Sequence, residues 1–310
     1  MLNTVPKIVR HVLFVLLPVV AVMAFLPLFY KNQLLLFNFL VFLTLAQGVN
    51  VIYGFTGYLP FGFVGFFGAG AYGFSMAVIH LHWPPLVAIA VGGAAAMAYG
   101  MLLTPLLRLS GAYFAIANLA ASLALYQLVS NPAMENITKG PYGISLSGIH
   151  NPALSYGVGV AILAATLMLV IFLRNSRFGL SLQAIKDDPI SAAMAGIHVV
   201  RARTIAWVAS ALIAGLIGAD FAWHVSAFYP DTVFSAEFSI FAIVFALFGG
   251  VATVSGPVLG VVLLYGLYNF IGISTPQYFQ LIYGVLIVLL VLFLPAGLVS
   301  LLQRRGVDVP

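Results

Sequence analysis

The sequence predicts an all-α, polytopic membrane helix bundle of about ten spans, from its composition, the length of its apolar runs and the placement of its basic residues. Of 310 residues, 63% are hydrophobic and 6% charged, with a mean hydropathy of +1.13. A soluble domain carries about a quarter charged residues, so the charges here are too few to cover a water-facing surface. The apolar residues run in stretches of about 20, the length that crosses roughly 30 Å of hydrocarbon. Stretches such as 160–173, VAILAATLMLVIFL, do not alternate, which excludes a transmembrane barrel.

The spans follow from the apolar runs and their breakers. The first, 11–30, comes after Lys7 and Arg10. It is long for a signal-peptide core and no small-x-small cleavage site follows, so it reads as a retained helix. The next three fall at 34–53, 62–81 and 85–107. His80-x-His82 beside Trp83-Pro84-Pro85 separates the third from the fourth and reads as an interfacial aromatic belt, since no third ligand for a metal stands nearby. The fifth, 111–130, ends at Asn131-Pro132, and the sixth, 153–173, starts at Asn151-Pro152. These two Asn-Pro-Ala triplets bracket one loop, whereas a water channel needs them in opposite halves of the chain. The remaining spans are 204–223, 236–252, 256–272 and 277–300, with the eighth and ninth open to forming one broken element.

Ten crossings put both termini on one side. With the N-terminus cytoplasmic, the inner side collects Lys7, Arg10, Arg108, Arg174, Arg177, Lys186, Arg201, Arg203, Arg304 and Arg305, and the outer side only Lys31 and Lys139. That asymmetry obeys the positive-inside rule. It assigns the net charge of +5 to membrane orientation, with no nucleic-acid partner. The absence of cysteine excludes disulfides, thiolate metal sites and Cys nucleophiles. A Ser–His–acid set at Ser226, His224 and Asp220 lacks a nucleophile-elbow pattern. The chain reads as one transmembrane domain, 1–310, with an outer segment at 131–152 and a cytoplasmic one at 174–203.

The cytoplasmic segment carries the clearest local signals. Asp188 followed by Pro189 is a helix start, Gly196 is a helix stop, and an Ala-rich helix lies between them. A helical turn at about 180–186 precedes it. Two small helices with small-residue faces suit a groove on a partner protein; the plainer alternative is a solvated linker.

The pattern Gly-Leu-x-Leu-x-Ala-Ile-x-Asp-Asp-x-x-x-Ala-x-x-x-Gly-Ile at 179–197 resembles the ATPase-coupling loop of the branched-chain amino acid ABC transporter permease family. Four further stretches resemble that family in the same order: 57–62 with 66–72, 111–119, 140–144, and Gly249-Gly250 with 255–260. The resemblance covers roughly 35–300. Departures from the family pattern are Tyr58, Pro60, Asn118, Ala252 and Asp220.

The resemblance implies a bacterial inner-membrane importer of leucine, isoleucine or valine, with urea, amides or another small amino acid as family alternatives. It implies two ABC ATPase subunits carrying ATP and Mg, a second permease chain, identical or sister, and a periplasmic or lipid-anchored substrate-binding protein. Membrane lipid is a further expected partner; no cofactor is expected on this chain, which is expected not to be an enzyme. The missing Gly-x-x-x-x-Gly-Lys-Ser/Thr loop agrees that another polypeptide handles ATP. The coupling loop would use Gly179, Ala184, Asp187, Asp188, Pro189, Ala193 and Gly196. The candidate substrate pathway is Gly57, Phe61, Gly65, Phe66, Tyr72, Tyr113, Asn118 and Glu237.

The glycines at 57, 62, 65, 68, 70 and 73 permit close helix packing or a broken helix facing a cavity. Glu237 would hold the ammonium group of an amino acid. A carboxylate at membrane depth costs roughly 2.5–3.5 kcal/mol on insertion scales and so usually faces a cavity or a partner. A stand-alone channel, conducting without ATP, and a membrane-embedded enzyme are the readings from other classes.

Overall fold

A computed structural model describes residues 7–30, 32–274, 281, 284, 285, 288 and 297–299. The expected span at 277–300 lies outside the described residues apart from those isolated positions. The chain opens with α1 (Lys7–His11), a π-helical turn and α2 (Leu17–Phe29). It continues with α3 (Gln33–Val49), a second π-helical turn over Asn50–Gly54, α4 (Val64–Leu81), α5 (Pro85–Leu102) and α6 (Gly111–Val129). After a short α7 (Glu135–Thr138) and strand β1 (Ile144–Ser145) comes α8 (Pro152–Asn175). Two short helices, α9 (Arg177–Asp187) and α10 (Pro189–Met194), lead to α11 (Val199–Val225). Strand β2 (Ala227–Phe228), α12 (Pro230–Val233), α13 (Ala236–Gly249) and α14 (Ser255–Ser274) follow. Among the described residues, eight helices are long and apolar enough to cross a membrane, and Ser255–Phe270 forms a shorter apolar helix.

Apolar runs located these helices well, and charge misplaced some ends. The expected span 204–223 is α11, which begins at Val199 and takes Arg201 and Arg203 into its first turns. Hydropathy stops at a charged residue, whereas backbone hydrogen bonding does not, and long basic side chains reach out of the apolar layer. Spans eight and nine are separate helices, α13 and α14, joined by the turn at 250–254. The helical turn at 180–186 is part of the longer α9, whose start Ser176 caps by accepting a hydrogen bond from Gly179 N at 3.1 Å.

The core is built on small residues. A Cβ on Gly70 would overlap the carbonyl of Gly215, and one on Gly218 would overlap the carbonyl of Phe67, so α4 and α11 cross backbone to backbone. Gly92 and Gly93 of α5 pack against the same two helices. Without water to expel between helices, such close approach supplies the dispersion contacts that hold a membrane bundle together. Helix α3 threads past this trio, with Phe37, Leu40, Val41 and Ala46 fully buried.

One end of the bundle is basic. Arg108 and Arg203 line one hollow there, Arg174 reaches the 250–254 turn, and Lys186 reaches the end of the α3 π-turn. At the opposite end, β1 pairs antiparallel with β2, Ile144 opposite Phe228 and Ser145 opposite Ala227. This ties the loop before α8 to the end of α11. Helix α13 does not begin at that far end. Phe238 and Phe241 pack on Phe42, near the middle of α3, and Ser239 Oγ accepts a hydrogen bond of 2.8 Å from Val64 N at the start of α4. The chain therefore dips into the bundle before α13 starts.

Candidate functional site

Three places combine polar chemistry with a position between helices. The first is the α9–α10 segment at the basic end. Asp188 is the N-cap of α10: its Oδ1 accepts from Ile190 N at 3.0 Å and its Oδ2 from Ser191 N at 3.2 Å, with the Ser191 hydroxyl also donating to it. The Ser191 hydroxyl bond is the main reason its carboxyl titrates below the usual 3.8, followed by the Ile190 backbone bond. Pro189 takes the first helical position, and Gly196 ends the segment at φ +86°. Gly179 must be small, because a Cβ would overlap the Leu173 carbonyl. Leu182, Ile185 and Ala192 face inward, whereas Ala193, Ile190 and Met194 are exposed, the last two at 71% and 78%. Ile190 and Met194, four residues apart, form an apolar edge that nothing within the described chain covers. Ala184 and Asp187 lie on the preceding helix.

The second place is the seam between the π-turn after α3 and the 250–254 turn. Asn50, fully buried, accepts from Ala252 N at 2.7 Å and donates to Thr253 O at 2.8 Å and to Gln47 Oε1 at 3.2 Å. Gln47 donates to Val254 O at 2.8 Å. Arg174 donates to Ala252 O at 2.6 Å, and Lys186 Nζ to Gly54 O at 3.0 Å. Desolvation lowers the Lys186 pKa, opposed by the charge of Asp187. Sequence reasoning missed Asn50 and Gln47. Their signal was two amides three residues apart at the end of a mostly apolar run.

The third place is a cavity of about 170 Å³ between α3, α13 and α14, lined by Asn38, Phe42, Glu237, Phe238, Phe241, Tyr265 and Tyr268. Phe241 meets Tyr268 edge-on with ring centroids 5.2 Å apart, and Tyr265 stacks on Tyr268 at 5.9 Å. A carboxylate with aromatic walls can take a cation by charge and by cation–π attraction.

The expected pathway residues do not form one cluster. Gly57, at φ +79°, lies beside the Lys186 stem at the basic end. Gly65 packs on Ser122, and Asn118 Oδ1 accepts from Gly62 N at 2.7 Å, so the start of α4 is keyed to α6 with Phe61 part-exposed alongside. Tyr113 projects from α6 and is 76% exposed. Phe66 is packed among Phe63, Tyr99 and Trp207, and Tyr72 among Phe228 and Phe234, both inside the bundle. Asp220 is fully buried against Gly159, and neither of its oxygens has a hydrogen-bond partner among the described residues. One turn further along α11, His224 bonds Ser155 at 2.7 Å and faces a cavity of about 420 Å³ under α2.

Fold and sites together define a multi-pass helical membrane protein with two short, capped helices at its basic end. Residues 33–291 match the family described as "Branched-chain amino acid transport system / permease component", and the chain belongs to that family. Its members are transport subunits, which places this chain in the inner membrane. The chain is 26% identical to the high-affinity branched-chain amino acid transport system permease protein LivM of Escherichia coli, over 86% of this chain and 69% of that one. It is 27% identical to the L-arabinose ABC transporter permease protein AraH of Azospirillum brasilense, over 66% of this chain and 61% of that one. It is 30% identical to the fructose import permease protein FrcC of Rhizobium meliloti, over 46% and 41%. No solved structure matches the chain.

Proposed function

We propose that this ABC permease carries branched-chain amino acids inward by alternating access, with its basic end in the cytoplasm and ten crossings in all. The observation that carries the reading is the apolar edge of Ile190 and Met194 on a short helix, capped at both ends, that leaves the bundle at that end. Such an edge fits a groove on an ATPase subunit. Two ATPase chains bearing ATP and Mg, a second permease chain and a substrate-binding protein at the far end complete the complex.

The amino-acid substrate is supported by the LivM likeness and by the Glu237 cavity, whose single carboxylate suits an ammonium and whose aromatic walls suit an aliphatic side chain. Glu237, Phe61, Gly65, Asn118 and the exposed Tyr113 face of α6 would border the path, with Gly57 at its cytoplasmic mouth and Phe66 and Tyr72 setting its walls from behind. The likeness to arabinose and fructose permeases gives a sugar as the second reading.

The test is a mild-detergent purification of the tagged chain from its host, with mass spectrometry of what accompanies it. The reading requires a co-purifying ATPase that is lost on Ala193→Arg, and a companion binding protein that takes leucine, isoleucine or valine. Preparations that bring down no ATPase, even after cross-linking, overturn the importer reading. A companion that binds only sugars overturns the substrate.

A further inference from the structure

We propose that Asn50 and Lys186 together form the strut that passes motion of the α9–α10 segment to the helices of the substrate path. This rests on the reading of that segment as the ATPase-coupling element. The Asn50 amide acts as a piece of backbone. Its oxygen takes the Ala252 N–H and its nitrogen gives to Thr253 O, so α3 and the α13–α14 turn are joined as two strands would be. Gln47 adds a third bond to the same turn through Val254 O. The join is tight enough that Gly54 cannot carry a Cβ, which would sit 2.7 Å from Ala252 N. Ala252 holds a left-handed φ of +61°, a strained conformation for a non-glycine residue that its neighbours must impose.

The join is gripped from both sides, by α9 and by the end of α8 that leads into it. Lys186, in the last turn of α9, donates to Gly54 O on the α3 side and lies 5.9 Å from the Tyr53 ring centre. Arg174, three residues before α9 starts, donates to Ala252 O on the α13–α14 side. A displacement of α9 relative to α8 therefore loads the two halves of the join differently. Through α3 and α13 it reaches Phe42, Phe238 and Glu237, the walls of the aromatic cavity. Asn50 closes the basic end, and Lys186 is the lever that opens it.

The test uses the complete importer in liposomes, reading ATP hydrolysis and uptake of radiolabelled leucine in one sample. Lys186→Met keeps the apolar stem and removes the donor. Its hydrolysis should stay within twofold of the natural chain while uptake falls at least tenfold, and Lys186→Arg should restore the ratio. Asn50→Ala leaves the coupling segment untouched and should speed ATP-independent loss of preloaded substrate at least tenfold. An unchanged hydrolysis-to-uptake ratio in Lys186→Met, a parallel loss of both activities, or an unchanged leak in Asn50→Ala each overturns the proposal. A natural chain that recruits no ATPase overturns the importer reading itself, which separates the two failures.

Discussion

The Tyr156 hydroxyl donates to the Met23 carbonyl at 2.7 Å, and Met23 is the residue whose carbonyl Pro27 leaves without an intrahelical donor. A proline inside a helix removes the bond to the residue four positions earlier, and in an apolar layer that carbonyl must find another partner. The side chain that meets this need comes from α8, so the break in α2 also fixes where α2 docks. Tyr156→Phe should destabilise the chain in detergent by about 1 kcal/mol, the net worth of one hydrogen bond. The loss should shrink when Pro27→Ala restores an internal donor. A double-mutant cycle of thermal unfolding checks this, and additive costs would refute the pairing.

At the α4–α11 crossing, Gly70→Ala forces a methyl into the Gly215 carbonyl. Overpacking of this kind costs about 1–3 kcal/mol. Gly148→Ala, where nothing lies within 4 Å of the added carbon, should be silent. Apparent melting temperatures of the two purified variants decide the matter.

Ile190→Glu places a charge on the exposed apolar edge of α10 and touches no buried contact. The isolated chain should melt as before, while ATPase co-purification and uptake both fall by more than tenfold. Retention of the ATPase would show that this edge is not the docking surface.

Asp188 gives the α10 cap a defined pH dependence. Its folded-state pKa is depressed by the Ser191 and Ile190 bonds. The stabilisation is therefore complete above the usual value of 3.8 and is lost as pH falls through the lower folded value. Amide exchange at Ile190 and Ser191 should accelerate only in that acid window. Asp188→Asn keeps an acceptor and should abolish the pH step.

Glu237→Gln should weaken uptake of an ammonium-bearing substrate roughly tenfold, about 1.4 kcal/mol, and leave hydrolysis in the absence of substrate unchanged. Uptake kinetics equal to those of the natural chain would remove Glu237 from the path.

What the sequence made legible is what local chemistry controls. Asp188-Pro189, Gly196, Asn131-Pro132 and Asn151-Pro152 all mark helix ends as expected, because caps and proline act within a few residues. The nine expected spans that fall on described residues each correspond to a helix, since long apolar runs are read directly from the sequence. The β1–β2 pair and the Asn50–Ala252 join were not legible, for each joins residues more than eighty positions apart. The inward start of α13 was also hidden, because a dip lined by protein looks as apolar as a plain span. The pathway residues scattered for the same reason: Phe66 and Phe61 lie five apart in sequence, yet one packs on Trp207 while the other faces outward.

The glycine-to-backbone crossing of α4, α5 and α11 has a mechanical consequence. Where main chains touch, few side chains stand between them to change rotamer, so α4 and α11, with α5 held on them at Gly92, should travel together as a block. Compliance would then reside in α3 and α13–α14, which meet each other through large aromatic rings and are joined at the basic end by the Asn50 and Gln47 amides. In the proposed coupling that block would be the anvil and α3 with α13–α14 the moving jaw, hinged at the five-residue π-helical turn Asn50–Gly54.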